Sequence, residues 1–493
     1  MQRLTPMAGV GFDFDVIVVG AGIGGLTAAA LLASRGRRVL VVESHYQCGG
    51  NCTSWRRLVG AEKRPFIFDS GVQDISGTGE GRPLANLLSQ IGAALEWRRV
   101  HHLYWDNGLR IAAGLSHRDF IAALAAAFPP EADGIARFFD EMAAVHRDLY
   151  AETETTGGVP APPPPAGLRA WAERHPHATR WMRERFADML GAYTTDPHLQ
   201  RILHTVSEYI ATTPERLSVH DMAPLYGYYF EGGSYPRGGA QSIANTLAAS
   251  LRDHGGRLAL RTRVERILVD SGRVTGVRTA RGDTFTAPVV IANGDVVSML
   301  LELTGSEHLP DGYARRVATL RRGPSALLVS LGLNTIMDLP PRVFIRDGDL
   351  AFGMGNPSVL DPGLAPGGHS AVTLLQLLPE SEAANWGPRN EAAYHRRKAQ
   401  AADRLIETVE RSVFPAIRQH IIYQEAATPA TFTAYTGARN GNIYGAARAV
   451  WRPRLTSPLP GLYLTGAGTD TGAGIEAVVI SGTRTADAVT AAG

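Results

Sequence analysis

One stretch constrains the fold more than any other: Asp15-Val-Ile-Val-Val-Gly20-Ala-Gly22-Ile-Gly24-Gly25-Leu26. The β-branched run Val16 to Val19 predicts a buried parallel strand. It breaks at Gly20, and an Ala/Leu-rich helix is expected to about Ser34. Gly20, Gly22 and Gly25 form a G-x-G-x-x-G pattern, with Gly24 inside it. The first glycine permits a tight turn, the second lets the backbone approach a pyrophosphate, and the third lets helix pack on strand. A helix N-terminus then presents free N–H groups to an anion. The next strand, Val39-Leu-Val-Val, ends at Glu43, spaced to accept from a ribose hydroxyl.

The rest of the composition excludes several functions. A hydrophobic content of 44% with 19% charged residues describes a packed chain, and 493 residues suffice for two or three domains. A net charge of +2 gives nucleic acid no reason to be the partner. Lys63 and Lys398 are the only lysines, so Schiff-base chemistry is not expected. Two cysteines, Cys48 and Cys52, make no disulfide framework and fit a reducing compartment. No metal-ligand pattern stands out, and nothing sets an oligomeric state. Residues 1–14 lack a signal-peptide plan, and the apolar stretches 14–33 and 461–480 are broken by glycines. The expected location is cytoplasmic, with peripheral membrane contact left open.

After Glu43 comes Cys48-Gly49-Gly50-Asn51-Cys52, whose Gly-Gly pair lets the backbone pass close to a second part of a large dinucleotide. Here the chain resembles the FAD-binding flavoproteins of the glutathione-reductase-like class. Residues 64–71 read as a strand entering a turn, and Phe68-Asp69-Ser-Gly71 resembles that class's F-D-x-G segment beside the flavin. Gly77 to Gly81 reads as a loop. The disulfide reductases of the class also place a cysteine after Gly-Gly, but they need a second one downstream and a second dinucleotide motif. No cysteine follows Cys52 and no such motif occurs mid-chain.

Between 83 and 150 amphipathic helices at 117–128 and 131–150 flank a short strand pair near Leu103 to Ile111. Pro160 to Pro165 predicts a stiff break. The segment 168–190 carries Leu168, Trp171, Trp181, Phe186, Met189 and Leu190 among arginines. It suits either a membrane surface or a helix packed on its own domain. The cluster Tyr226, Tyr228, Tyr229, Phe230 and Tyr235 runs into a glycine turn, and a helix follows at 240–254. Strands at Arg257–Thr262, Arg263–Val269, Val274–Thr279 and Val289–Ala292 return the chain to the nucleotide domain. A second excursion, 297–450, predicts strands near 326–333, 343–346 and 371–378 and a helix at about 389–413.

The end of the chain repeats the opening plan. Gly461 to Gly482 reads as strand, glycine turn (Gly466, Gly468, Gly472, Gly474) and helix. With both ends read, the chain is similar to the carotenoid and retinoid oxidoreductases, meaning the bacterial phytoene desaturases and the carotenoid isomerase and retinol saturase branch. Tyr235-Pro-Arg-Gly238-Gly239, Val289-Val-Ile-Ala-Asn293-Gly, Thr428-Pro-Ala-Thr-Phe432, Asn440-Gly-Asn-Ile-Tyr444-Gly445 and the terminal motif carry the likeness. It implies an α/β Rossmann-like FAD-binding domain (1–100, 235–296 and 450–493) and a discontinuous α+β cap (101–234 and 297–449). It also implies FAD on Gly20, Gly22, Gly24, Gly25, Glu43, Gly49, Gly50, Asn51, Val264, Gly466, Asp470, Gly474 and Ile475.

The chain departs from that pattern where Thr469-Asp470-Thr471-Gly472 replaces T-H-P-G and where Glu476 replaces a frequent proline. Asp470 and Glu476 are candidates for base or orienting groups; otherwise Asp470 caps the last helix and Glu476 sits in its first turn or in solvent. The resemblance implies hydride exchange at flavin N5 on the C–C bonds of a long hydrophobic polyene, by desaturation, saturation or isomerisation. Quinone or oxygen is the expected electron acceptor. The tunnel wall is expected from Tyr226, Tyr228, Tyr229, Phe230, Tyr235, Phe432 and Tyr444, whose other reading is core packing. Two other functions remain open: an oxidase of amines or small natural products, and a prenyl-lipid carrier like the GDP-dissociation inhibitors.

Overall fold

A computed structural model describes residues 11–151, 165–209, 216–447 and 451–492. The proline break lies outside them except for Pro165. The opening motif folds as its residues dictate. Strand β1 (Val16–Val19) is buried throughout and leads through the glycine turn to helix α1 (Ile23–Ser34) and strand β2 (Val39–Val42). Strands β3 (Arg257–Ala259), β4 (Val289–Ala292) and β5 (Leu462–Leu464) complete an all-parallel sheet in the order β5-β4-β1-β2-β3. The last helix, α2 (Ile475–Ala492), and the helix Gln241–Asp253 pack against α1.

Helix α1 is apolar on every side because it is covered on every side, by β2 and these two helices. Its leucines, Leu26, Leu31 and Leu32, are almost completely buried, each stabilising the fold by about 1.5–3 kcal/mol. The helix ends at Gly36, whose positive φ of 80° accompanies an Arg37 N–H bond back to the Leu32 carbonyl at 3.0 Å.

The second layer is a seven-stranded mixed sheet. Its order is Ile421–Ala427, Ser325–Leu333, Ser370–Leu378, Leu350–Gly355, Arg342–Asp347, His102–Asp106 and Leu109–Gly114, and only the pairing of Arg342–Asp347 with His102–Asp106 is parallel. A helical lobe covers one end, with Ala132–Tyr150 packing on Val219–Gly227 and His117–Ala127 packing on Ala132–Tyr150. Residues 298–320 lie past the expected return at 296, yet Leu300, Val317 and Leu320 join the apolar cluster of Val264, Ile267 and Val290. The short strand Gly233–Pro236 pairs with Trp97–Val100 and links the layers.

The segment 168–190 turns its apolar side inward. Trp171, Trp181, Phe186, Met189 and Leu190 are buried, and Trp181 donates its ring N–H to Glu141 at 2.8 Å. Arg169, Arg174, Arg180, Arg183 and Arg185 stay outside. The five buried side chains take the domain-packing reading, while Leu168 at the start of the segment is exposed. No described helix is long and apolar enough to cross a membrane.

Candidate functional site

The sheet order reverses between β1 and β4, and in open parallel sheets the crevice beyond such a switch point receives the ligand. Gly20 ends β1 with φ +98°, and Asn293 ends β4 and donates its side-chain amide to the Gly20 carbonyl at 3.0 Å. A side chain on Gly25 would meet the Gly20 carbonyl at 2.5 Å and the Asn293 amide at 2.7 Å. Gly25 is therefore the packing glycine, while Gly20, Gly22 and Gly24 face the crevice. Gly24 also lies against the second glycine turn: a Cβ there would stand 3.1 Å from the Gly466 Cα. Two turns more than 400 residues apart in sequence thus touch, and both deliver a helix N-terminus to one cavity.

That cavity is continuous and holds about 1120 Å³, beyond the usual 300–1,000 Å³ range of small-molecule sites. Gly20, Gly22, Gly24, Glu43, Gly49, Gly50, Asn51, Val264, Gly466, Gly474 and Ile475 all border it. The Gly49–Gly50 loop rests on the first turn: Gly49 donates to the Ala21 carbonyl at 2.7 Å, and a Cβ on Gly50 would come within 3.3 Å of the Gly22 Cα. The Glu43 carboxylate accepts from the N–H groups of Ala21 and His45, both at 2.7 Å. The Ser44 hydroxyl donates to it as well, at 3.2 Å; a carboxylate has about four acceptor positions, so about one remains for a ribose. The α1 N-terminus has no side-chain cap and no acid in its first turn, which leaves it open to an anion. This donor set and glycine cradle fit FAD.

The other expected site residues divide sharply. Tyr228 and Tyr444 line the cavity. Tyr226 does not; it is fully buried in the helical lobe and donates to the Leu203 carbonyl at 2.9 Å. Tyr229 and Phe230 belong to that lobe as well, and Tyr229 bonds Tyr104. Tyr235 donates to Asp69, a buried carboxyl that also accepts from Ser54 at 2.5 Å and Ala240 N–H at 3.0 Å. Burial raises Asp69 above the usual carboxylate range, against these bonds. Phe432 packs on Ala326 and Leu328, though residues 433–438 just beyond it do border the cavity. For these five aromatics the core reading is the one the structure takes.

Asp470 is exposed and outside the cavity lining, and its N–H bonds the Pro453 carbonyl at 3.1 Å. It lies five residues before the start of α2 at Ile475, so it is not the helix cap either. Glu476 sits in that turn but not in solvent. Its side chain accepts from Ser76 at 2.5 Å and Tyr150 at 2.8 Å, and burial raises its pKa against both bonds. A Cβ on Gly77 would come within 2.8 Å of the carboxyl carbon, so Glu476 fills the space a side chain at 77 would need. Glu476 is thus a half-buried link between α2 and the helix Ala132–Tyr150, outside the cavity lining.

Sequence reasoning missed Asn293 as a site residue, although its strand was placed correctly. It also missed the cap wall of Asp74, Glu208, Tyr209, Arg342, Phe352 and Leu375. Asp74, three residues past the F-D-x-G segment, pairs with buried His102 at 2.6 Å, and its Oδ1 has no hydrogen-bond partner. Burial raises Glu208, with Arg342 opposing the shift. Cys48 and Cys52 are both buried and free, and burial pushes the Cys52 thiol far up, which leaves no reactive thiolate.

Comparison with known proteins agrees with this geometry. The family model for flavin-containing amine oxidoreductases matches residues 23–490. A prolycopene isomerase from an Oncidium hybrid cultivar is 28% identical, over 97% of this chain and 84% of the relative. A lycopene-forming phytoene desaturase from Pseudescherichia vulneris is 27% identical, over 95% of this chain and 98% of the relative. Among solved structures, an oxidoreductase from Methanosarcina mazei superposes with a TM-score of 0.66 at 19% identity, covering 95% of this chain and 99% of that one. The Rossmann-like sheet with its cap, the paired glycine turns and the family match lead to one conclusion: the chain belongs to the flavin-containing amine oxidoreductase family and is an FAD-dependent oxidoreductase.

Proposed function

We propose that the enzyme changes C–C unsaturation or double-bond geometry in a long isoprenoid polyene of the carotenoid or retinoid kind. One observation carries the reading: the cavity runs without interruption from the two glycine turns to a cap wall containing Tyr228, Phe352, Leu375 and Tyr444. A long apolar chain can lie along that wall while one of its bonds faces the flavin end. The names of the relatives, prolycopene isomerase and phytoene desaturase, support the same substrate class.

FAD, when bound, supplies the hydride chemistry at its N5. The protein supplies the rest. The first glycine turn and α1 hold the pyrophosphate side. The N-terminus of α2 places a positive dipole end at the flavin side, worth a few tenths to about 2 kcal/mol toward an anionic ring. Tyr228, Phe352, Leu375 and Tyr444 of the cap wall orient the chain. Asp74 and Glu208 are the groups of that wall able to hold or pass a proton. An external acceptor such as a quinone or oxygen completes a desaturation.

A second reading, oxidation of an amine, draws on the same two acids, which could pair with an ammonium. Arg342 in the same wall opposes it, because a buried guanidinium repels a cation. Anaerobic mixing of the holoprotein with polyenes and amines separates the readings. Bleaching of the oxidised flavin band by a polyene indicates dehydrogenation, and product formed only after dithionite reduction indicates isomerisation or saturation. Bleaching by amines alone overturns the polyene reading.

A further inference from the structure

The cap end of the cavity contains a cation that a pure hydrocarbon cannot satisfy. Arg342 is 3% exposed and borders the cavity. Its Nε donates to the Tyr209 hydroxyl at 3.3 Å and its Nη1 to the Val343 carbonyl at 3.4 Å, both long bonds. Its Nη2 has no acceptor, and no carboxylate lies within 4.0 Å among the described residues. Asp74 and Glu208, the two acids of this wall, act on Arg342 only through space: neither forms an ion pair with it, and Asp74 is bound to His102 at 2.6 Å. Few arginines are buried without a partner, because desolvating the charge is costly.

The guanidinium is held in place deliberately. Its plane lies over the Phe344 ring, with Cζ 4.0 Å from the centroid, and Tyr209 stacks on Tyr228 at 4.6 Å. On the neighbouring strand Phe344 faces Gly353, where any side chain would collide with the guanidinium. A glycine there keeps the cation's seat open. All of these residues belong to cap elements, away from the glycine cradle that fits FAD.

We propose that Arg342, braced by Tyr209, is a subsite for a hydrogen-bond-accepting oxygen at the end of the substrate, so that the enzyme takes an oxygenated polyene rather than an unsubstituted hydrocarbon. An alcohol, aldehyde or carboxylate shares the needed chemistry, an oxygen lone pair for the free Nη2. The subsite deepens the polyene reading and rests on it for the length and unsaturation of the ligand, while the oxygen end stands on Arg342 alone.

The test measures dissociation constants of holoenzyme by flavin absorbance or quenching. One ligand set is a polyene alcohol, aldehyde and acid against a hydrocarbon of the same skeleton; the other is farnesol and farnesoic acid against farnesene. The expected preference for an oxygenated ligand is about 10- to 100-fold, the effect of one charge-assisted hydrogen bond. Arg342→Met should erase that preference while leaving FAD content unchanged, and Arg342→Lys should restore part of it. Tyr209→Phe, which keeps the ring, should weaken the preference without removing it and serves if Arg342→Met does not fold. Equal affinity of wild type for hydrocarbon and oxygenated ligands overturns the subsite and leaves the polyene reading standing. Loss of FAD from a folded Arg342→Met protein also overturns it, because the cation would then serve the cofactor. Arg342-dependent binding of farnesol or farnesoic acid with no polyene binding upholds the subsite and overturns the polyene reading.

Discussion

The two walls of the cavity are made in different ways. On the nucleotide side the wall is backbone: Gly20, Gly22, Gly24, Gly49, Gly50, Gly466 and Gly474, with N–H groups aimed inward by two turns and two helix ends. On the cap side it is side chains, Asp74, Tyr209, Tyr228, Arg342, Phe352 and Leu375, brought together from separate strands and loops. A backbone cradle needs its glycines in fixed local order, whereas a side-chain wall needs only that distant strands register correctly. The first has no room for a side chain at Gly20, Gly49 or Gly466; the second can be rebuilt residue by residue, and this is where relatives on one fold can differ in substrate.

The largest expected effect therefore comes from the backbone wall. Gly20→Val places a β-branched residue at φ +98° and drives it into the Asn293 carbonyl. It should cost about 3 kcal/mol or more and yield protein without bound FAD, read from the ratio of flavin to protein absorbance. A variant that retains FAD would show that the turn relaxes and that the cradle is not the rigid part.

A second pair of substitutions sharpens the division within the cap. Tyr226→Ala should destabilise the helical lobe by about 3–5 kcal/mol, as large aromatic truncations in cores do, measured by denaturant unfolding. Tyr228→Phe should leave unfolding nearly unchanged and alter the Kd or turnover of the substrate instead. If Tyr226→Phe, which removes only the bond to the Leu203 carbonyl, moved turnover more than Tyr228→Phe, the cavity boundary drawn between them would be misplaced.

These two tyrosines also show what could and could not be read from sequence. The parallel strands, both glycine turns, Glu43 and the hairpin from Val264 were legible because strand periodicity and turn glycines are local signals. The helices His117–Ala127 and Ala132–Tyr150 were legible for the same reason. Tyr226, Tyr228 and Tyr229 were not separable, since adjacent residues in a helix point to different sides and only the tertiary fold says which side is the cavity. Edge strand Ile421–Ala427 was missed because its half-exposed residues form no apolar run. Asp470 attracted attention by its place in the terminal motif, but the turn directs it outward.

The smallest effect is electrostatic and lies behind both walls. Burial lifts Glu231 to about 7, against its partner Arg82 at 2.5 Å, in the same buried patch as Glu476. An acid whose folded pKa exceeds its unfolded value favours folding at low pH, and that advantage fades as pH rises from about 4.5 through about 7. Stability should fall across that window with a slope of at most about 1.4 kcal/mol per pH unit from this group, and Glu231→Gln should flatten it. An unchanged slope in the variant would assign the effect to other groups.

A crystal structure of the holoenzyme with a non-reactive oxygenated polyene tests the two-walled cavity most directly. The adenosine should lie between Glu43 and Val264, the flavin ring at Gly466 to Ile475, and the polyene along Tyr228, Phe352 and Leu375. Polyene density anywhere else, such as on the outer face of residues 168–190, or a flavin ring lying against Arg342, would contradict it.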